Sequence, residues 1–462
     1  MTGIGKAVGF AFLLLLILAV YPMEQPGMLN PWIGIEPSFV FTTKLLKFSI
    51  LELVLGTTFG MSLLYWNSLA RRIPYKNNFG LFISLILACI AWGYIGTVFS
   101  DQTLSMDNLG IDNWKRLIYG IIVFISVTLF IDTKKKLHNA IYFIVLAAFF
   151  LDVWGLGRYV FAGGLPVHSY TGKVVFWETV KLALNVFVVT YVLGMLLFDS
   201  SSLSPRRRLL YKIVLTMAYA VIFLSSRRTS MIMTLFATAI FLWVLARRGR
   251  PFIAVSVLAV SVLGMSIFAM VNYQAFETKF ISRFVSLAGI FDKSVEVDKS
   301  STQSHMSDLR KGLNTAIEHP IWGVGFGWDE VSSGGGQDYV RPVYWVHNSL
   351  LTFWLRFGLL GVVTYLYIYY KILTVLFRSY SRTKDTTLLI FLVWFFVEFL
   401  SGFFFPPFFG YFKMVALFMG TLGLANADIN TMNVSIEPIT TNEKDLPALD
   451  GRILRRCTRA DT

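Results

Sequence analysis

The sequence predicts an all-α polytopic membrane protein of about 12 transmembrane helices with one large, partly helical extracytoplasmic loop. Three observations carry that prediction. The chain is 55% apolar and only 15% charged, with a mean hydropathy of +0.63, too little polar surface for a water-soluble packing. Apolar runs of spanning or near-spanning length recur along the chain, and the basic residues fall in short clusters between alternate runs.

The runs lie at residues 7–21, 45–69, 79–99, 115–131, 139–160, 174–198, 209–224, 230–246, 251–271, 346–370, 387–401 and 411–425. Some are short for a bilayer that takes ~20 helical residues to cross. The first follows Lys6 and runs from Val8 to Val20; Tyr21-Pro22-Met23-Glu24 offers no small-residue cleavage site, so a retained first helix is expected. With the N-terminus in the cytoplasm, Arg71-Arg72, Lys134-Lys135-Lys136, Arg206-Arg207-Arg208, Arg247-Arg248-Gly249-Arg250 and the basic stretch from Lys371 to Lys384 all face inward. The opposite orientation violates the positive-inside rule at each of them. The expected organisation is therefore helices 1–9 over residues 1–271, an extracytoplasmic loop over 272–345, helices 10–12 over 346–425 and a disordered cytoplasmic tail over 426–462, both termini being cytoplasmic.

The same charge pattern accounts for the formal net charge of +14 without a nucleic-acid partner. Cys89 sits in an apolar run and Cys457 in the tail, a placement that argues against a disulfide, and no residues show metal-ligand spacing. The halves of the chain show no repeat, which counts against a secondary transporter. Glu52, Asp152 and Glu398 lie in apolar runs with no sequence-local partner and are expected in the bundle interior.

The 272–345 loop is far longer than a simple connection. Met306, Leu309, Leu313, Ala316 and Ile317 recur at helical spacing, predicting a helix over Ser304 to Glu318 that Pro320 ends. Gly323-Val324-Gly325-Phe326-Gly327 and Gly334-Gly335-Gly336 follow; they read as sharp turns, and the strand that a nucleotide-binding glycine loop requires is missing before them. The loop closes on Tyr344-Trp345-Val346-His347-Asn348-Ser349 at the mouth of the next helix. A histidine there is either an interfacial residue or a functional one. In Ser225-Ser226-Arg227-Arg228-Thr229-Ser230, two arginines occupy a short outward turn, against the charge rule, and are either snorkelling side chains or a site.

Glu318-His319-Pro320-Ile321-Trp322-Gly323-Val324-Gly325-Phe326-Gly327, then His347-Asn348 with the spaced Gly358 and Gly361, resembles the O-antigen ligase and polymerase superfamily of bacterial envelope glycan assembly. The Ser226-Arg227-Arg228-Thr229 turn before a helix is similar to another of its signatures, and the helix count and the long penultimate outward loop agree with it. The resemblance implies an enzyme of the cytoplasmic (inner) membrane that takes a glycan from undecaprenyl pyrophosphate and passes it to an acceptor, with no cofactor and no metal. Its implied partners are the lipid-linked glycan donor, the glycan acceptor, membrane lipids, and polysaccharide export and chain-length proteins.

On this resemblance His347 matches the family's essential histidine, a general base or acceptor-positioning group, and Arg228 matches the arginine that clamps pyrophosphate, Arg227 being the alternative register. Arginine suits that task because its planar fork bonds phosphate bidentately and keeps its proton; histidine suits proton transfer near neutral pH. The family's second arginine, ahead of the loop proline, is replaced by His305; Arg310 and Arg341 are the substitutes in reach along the chain. Polymerisation of lipid-linked repeat units into an exopolysaccharide, capsule or O-antigen is the expected activity. Transfer of a finished glycan to lipid A core is the alternative, and a lipid-linked glycan transporter is the alternative of another class.

Overall fold

A computed structural model describes residues 44–45, 48–64, 79–99, 111–161, 165–166, 173–175, 179–225, 227–257, 259, 299–325, 330–331, 342–343, 346, 348–403 and 412–436. The helices, in chain order, are α1 (Ile50–Leu64), α2 (Phe79–Phe99), α3 (Ile111–Phe130), α4 (Lys134–Phe161), α5 (Thr179–Phe198), α6 (Pro205–Leu224), α7 (Arg228–Arg247), α8 (Lys299–Glu318), α9 (Ser349–Thr383), α10 (Thr386–Gly402) and α11 (Phe412–Ile436). Among the described residues, strand structure is confined to three two-residue antiparallel pairs, β1–β2 (Lys44–Leu45 with Phe48–Ser49), β3–β4 (Leu165–Pro166 with Lys173–Val174) and β5–β6 (Glu330–Val331 with Pro342–Val343).

Local chemistry sets the helix ends. The Ser204 side chain caps α6 by accepting from the Arg207 N–H, with Pro205 at the first helical position. α9 closes on Lys384 in the left-handed region at φ 56°, and the next residue, Asp385, opens α10 by accepting from the Thr387 and Leu388 N–H groups at 2.8 and 3.2 Å. The turn between two long helices is thereby made of two residues with opposite capping duties.

Packing follows the rule for helices in lipid, where close backbone approach substitutes for a hydrophobic driving force. α3 and α11 interlock through reciprocal glycines: a methyl at Gly120 would run into Val415, and one at Gly423 would come within 2.8 Å of Val127. Gly194 of α5 does the same for Ile390 of α10 and Phe241 of α7. The buried centre is aromatic, with Trp394 edge-on to Phe187 at 5.2 Å and its indole N–H donated to Thr421 Oγ1 at 3.2 Å. Two of the carboxylates with no sequence-local partner find one across the bundle: Tyr119 Oη donates to Glu52 at 2.7 Å and Asn185 Nδ2 to Asp152 at 2.8 Å.

By length and composition, Lys134–Phe161, Thr229–Arg247 and Ser349–Thr383 are long and apolar enough to cross a membrane; Leu81–Thr97, Leu117–Phe130, Leu182–Phe198 and Thr386–Gly402 are shorter apolar helices. The run at 7–21, the greater part of 251–271 and the chain beyond 436 lie outside the described residues. The described basic clusters, at Lys134, Arg207, Arg248 and the end of α9, gather at one end of the bundle, and Arg71-Arg72 lies outside the described residues. Lys134 pairs with Asp385 at 3.1 Å and with Asp428, and Arg248 donates to Tyr380 Oη at 2.6 Å while lying over the Phe198 ring.

One boundary differs from the sequence reading. The last helix was expected to end at 425 with a disordered tail from 426, but α11 continues to Ile436 and Asn426 and Asp428 are fully buried. Their polar side chains hid the helix from a hydropathy reading; Lys134 neutralises Asp428, and Asn426 Nδ2 reaches Thr128 Oγ1 at 3.4 Å. The apolar run at 346–370 falls within α9, which is bent.

Candidate functional site

The bend is at Gly358, whose φ of 58° and ψ of −149° interrupt the helical path. Phe353 and Tyr365 would stand ~18 Å apart on a straight helix at ~1.5 Å per residue. Their ring centroids are 5.3 Å apart, so the first part of α9, 349–357, folds back against the rest. Gly361 permits the fold, since a methyl there would strike the Phe353 carbonyl. The two glycines spaced after His347-Asn348 are thus the hinge of a helical V, and only the limb after Gly358 need cross a bilayer.

A bend exposes carbonyls that the next turn no longer covers. The glycine segment after α8 covers them: Val324 N–H donates to the Leu355 carbonyl at 2.7 Å and Gly325 N–H to the Arg356 carbonyl at 3.2 Å. Arg356, buried at 4% exposure, returns a hydrogen bond from Nη1 to the Gly325 carbonyl at 3.0 Å, and Trp354 Nε1 donates to the Pro320 carbonyl at 3.2 Å. Gly323 and Gly325 hold φ of 70° and 69°, and a methyl at Gly323 would come within 2.6 Å of Gly358 N. On the other side the segment packs on α2, where Trp322 stacks on Trp92 at 4.7 Å and Gly325 abuts Gly93 and Thr97. The Gly323-Val324-Gly325 cluster is therefore a backbone strap seated between α2 and the bend.

The start of α9 is fixed independently. The Asn348 side chain caps the helix by accepting from Leu351 N–H at 2.8 Å, and its Nδ2 donates to the Phe403 carbonyl at 2.6 Å, tying the cap to the end of α10. The Val346 carbonyl accepts from Asn348 N–H at 2.7 Å and from Thr352 Oγ1 at 3.0 Å. Below the cap, Gly402 leaves just the room that Tyr365 Oη and Ser349 occupy. Glu398, one turn before Gly402 and 1% exposed, has neither carboxylate oxygen hydrogen-bonded among the described residues.

His347 and Arg341 lie outside the described residues, as do the side chains of Arg228 and His305. Both neighbours of His347, Val346 and Asn348, are held as stated. His305 belongs to α8, which matches the helix expected over Ser304 to Glu318 and begins earlier, at Lys299. Arg310 is exposed on α8, and Gly312 of that helix rests on Val346. Arg228 is the first residue of α7, and Arg227 is its half-buried N-cap residue with an extended backbone.

α10 connects the two halves of the candidate site, packing on both α7 and α9. Phe241 and Ile390 meet at Gly194, and each lies roughly 18–20 Å along its helix from Arg228 and Gly402 respectively, at ~1.5 Å per residue. The start of α7 is consequently level with the end of α10, where Asn348 is tied. The described elements bring the start of α7, at Arg227 and Arg228, and the Asn348 cap of α9 to the same end of the bundle, opposite the Lys134 cluster.

Sequence reading passed over Arg356. It is an ionisable residue in the apolar run after His347, and the rule that such residues are expensive inside a membrane was the signal that could have found it. The roles of Gly358 as a hinge and of Asn348 as a tie to Phe403 had no such signal, because both depend on segments distant in the chain.

No curated protein matches the chain. Residues 212–366 match the family described as O-antigen ligase, a stretch that runs from α6 through the strap to the second limb of α9. That match supports membership of the chain in the O-antigen ligase/polymerase superfamily, the family to which its arginine and histidine motifs had pointed.

Proposed function

We propose that this protein polymerises undecaprenyl-pyrophosphate-linked oligosaccharide repeat units into an envelope polysaccharide, an exopolysaccharide, capsule or O-antigen, on the outer face of the cytoplasmic membrane. The observation that carries the reading is the family match at 212–366, which contains the Arg227-Arg228 turn, the strap and the His347-Asn348 turn together. An acceptor hydroxyl attacks the anomeric carbon of the donor glycan, its proton passes to His347, and the bond to pyrophosphate breaks. Charge develops on the leaving oxygens, and Arg228 meets it, with Arg227, Arg310, Arg341 and His305 as further candidates for that surface. The description of the matched family favours a second reading, ligation of a finished glycan to lipid A core. His305 in place of the family's second arginine favours polymerisation. No observation supports the transporter alternative.

A deletion strain separates these readings. Single lipid-linked repeat units without polymer mean polymerase, and long lipid-linked polymer that never reaches its acceptor means ligase. Restoring the strain with His347→Ala is expected to lower polymer by ~10²-fold or more, the size of a lost general base. Full-length polymer in normal amount from that variant would remove His347 from the chemistry. Arg228→Lys keeps the charge and loses the fork, and is expected to lose most of the activity at unchanged protein level; wild-type turnover would make Arg228 a structural residue.

A further inference from the structure

Helix α8 carries an apolar edge that the described residues leave uncovered. Gly312 and Ala316 face inward, Gly312 against Val346, and Leu309 packs beside them. Leu313 and Ile317, four residues apart, are 42% and 57% exposed, and Ile321, four further along the chain, is 58% exposed. Arg310, Asn314 and Glu318 form the polar edge beside them. A helix in water does not ordinarily leave large aliphatic side chains in such a row.

The row does not end with α8. The Ile321 carbonyl lies against Gly358 at the hinge, and the next residue, Leu359, is exposed, as are Val363, Leu366 and Tyr370 along the limb of α9 that follows. These recur at helical spacing on a helix long and apolar enough to span, so that stripe faces acyl chains. The edge of α8 is its continuation. Trp322, 38% exposed and stacked on Trp92, stands at the junction, the level where tryptophan collects in membrane proteins.

We infer that α8 is an interfacial helix whose Leu313–Ile317–Ile321 edge is seated in the acyl region of the lipid leaflet at the Asn348 end, with Arg310, Asn314 and Glu318 at headgroup level. The occupant is bilayer lipid, because the edge is continuous with a lipid-facing stripe and is flanked by a cation suited to headgroup phosphate. α8 is then held on the membrane surface, and Val346, which rests on its Gly312, with it.

The test uses the full chain carrying Cys457→Ser, reconstituted in vesicles of phosphatidylethanolamine and phosphatidylglycerol; Cys89, at 2% exposure, is shielded from labelling. Nitroxide labels are placed singly through Leu313→Cys, Ile317→Cys, Asn314→Cys and Glu318→Cys. Labels at 313 and 317 are expected to lose collisions with a water-soluble nickel chelate and keep those with oxygen, while labels at 314 and 318 keep the nickel collisions. Nickel access at all four positions would overturn the inference, since α8 would then stand in water. Exclusion of both reagents at 313 and 317 would overturn it as well, because a protein segment would cover the edge. The measurement does not depend on activity, so it stands or falls apart from the glycosyltransferase reading.

Discussion

At the Lys134 end of the bundle, helix termini are joined by side-chain charge. Lys134 at the start of α4 meets Asp385 at the cap of α10 and Asp428 of α11, and Arg248 meets Tyr380. At the Asn348 end every joint engages a backbone carbonyl. The strap donates its N–H groups to the Leu355 and Arg356 carbonyls, Asn348 donates to the Phe403 carbonyl, and Gly323, Gly325, Gly358, Gly361 and Gly402 stand where a methyl group would collide. Ion pairs between flexible side chains hold over a range of positions. Joints that end on backbone carbonyls beside close-packed glycines admit far fewer arrangements.

The comparison predicts that substitutions at the two ends differ in size. Gly358→Val should have the largest effect: it forces a β-branched residue to φ 58° and drives its side chain into the Ile321 carbonyl. Strain of about 1–3 kcal/mol and overpacking of about 1–3 kcal/mol should together remove most folded protein from detergent extracts. A wild-type melting temperature for that variant would mean the hinge is not needed. Arg356→Met comes next, leaving the buried Gly325 carbonyl without its donor at a cost of about 1–3 kcal/mol. Its thermal unfolding in detergent should shift down, with protease cleavage appearing in the strap, and Arg356→Lys should recover part of the loss. Unchanged cleavage would place the strap's anchorage elsewhere.

The smallest effect belongs to the charged end. Asp428→Asn keeps the shape of a fully buried side chain, and Lys134, 34% exposed, keeps both water and its pair with Asp385, so no buried charge is stranded and the loss should stay below that of Arg356→Met. Polymer synthesis should be unaffected. An Asp428→Asn variant as unstable as Gly358→Val would abolish the distinction between the ends.

Individual residues show how far the sequence could be read. The Ser304–Glu318 helix was legible because its periodic apolar positions and the following Pro320 are local signals. The grouping of basic clusters was legible because charge alternates with the spans. The end of α11 was not, because Asn426 and Asp428 look like tail residues until Thr128 and Lys134 are brought against them. The Gly323-Val324-Gly325 cluster read as a turn; that its turn inserts between α2 and α9 has no local signal at all.

By itself the sequence determined a membrane protein, most of its helices, and the motifs that the family match at 212–366 contains, since hydropathy, charge alternation and motif spacing are properties of short stretches of chain. Only the tertiary structure decided that α9 is a V hinged at Gly358, that Arg356 and the strap close the hinge, and that Asn348 is tied to α10. The reason is physical: a left-handed glycine permits a bend but does not require one, and what makes this one stable is hydrogen bonding to backbone groups more than thirty residues away along the chain.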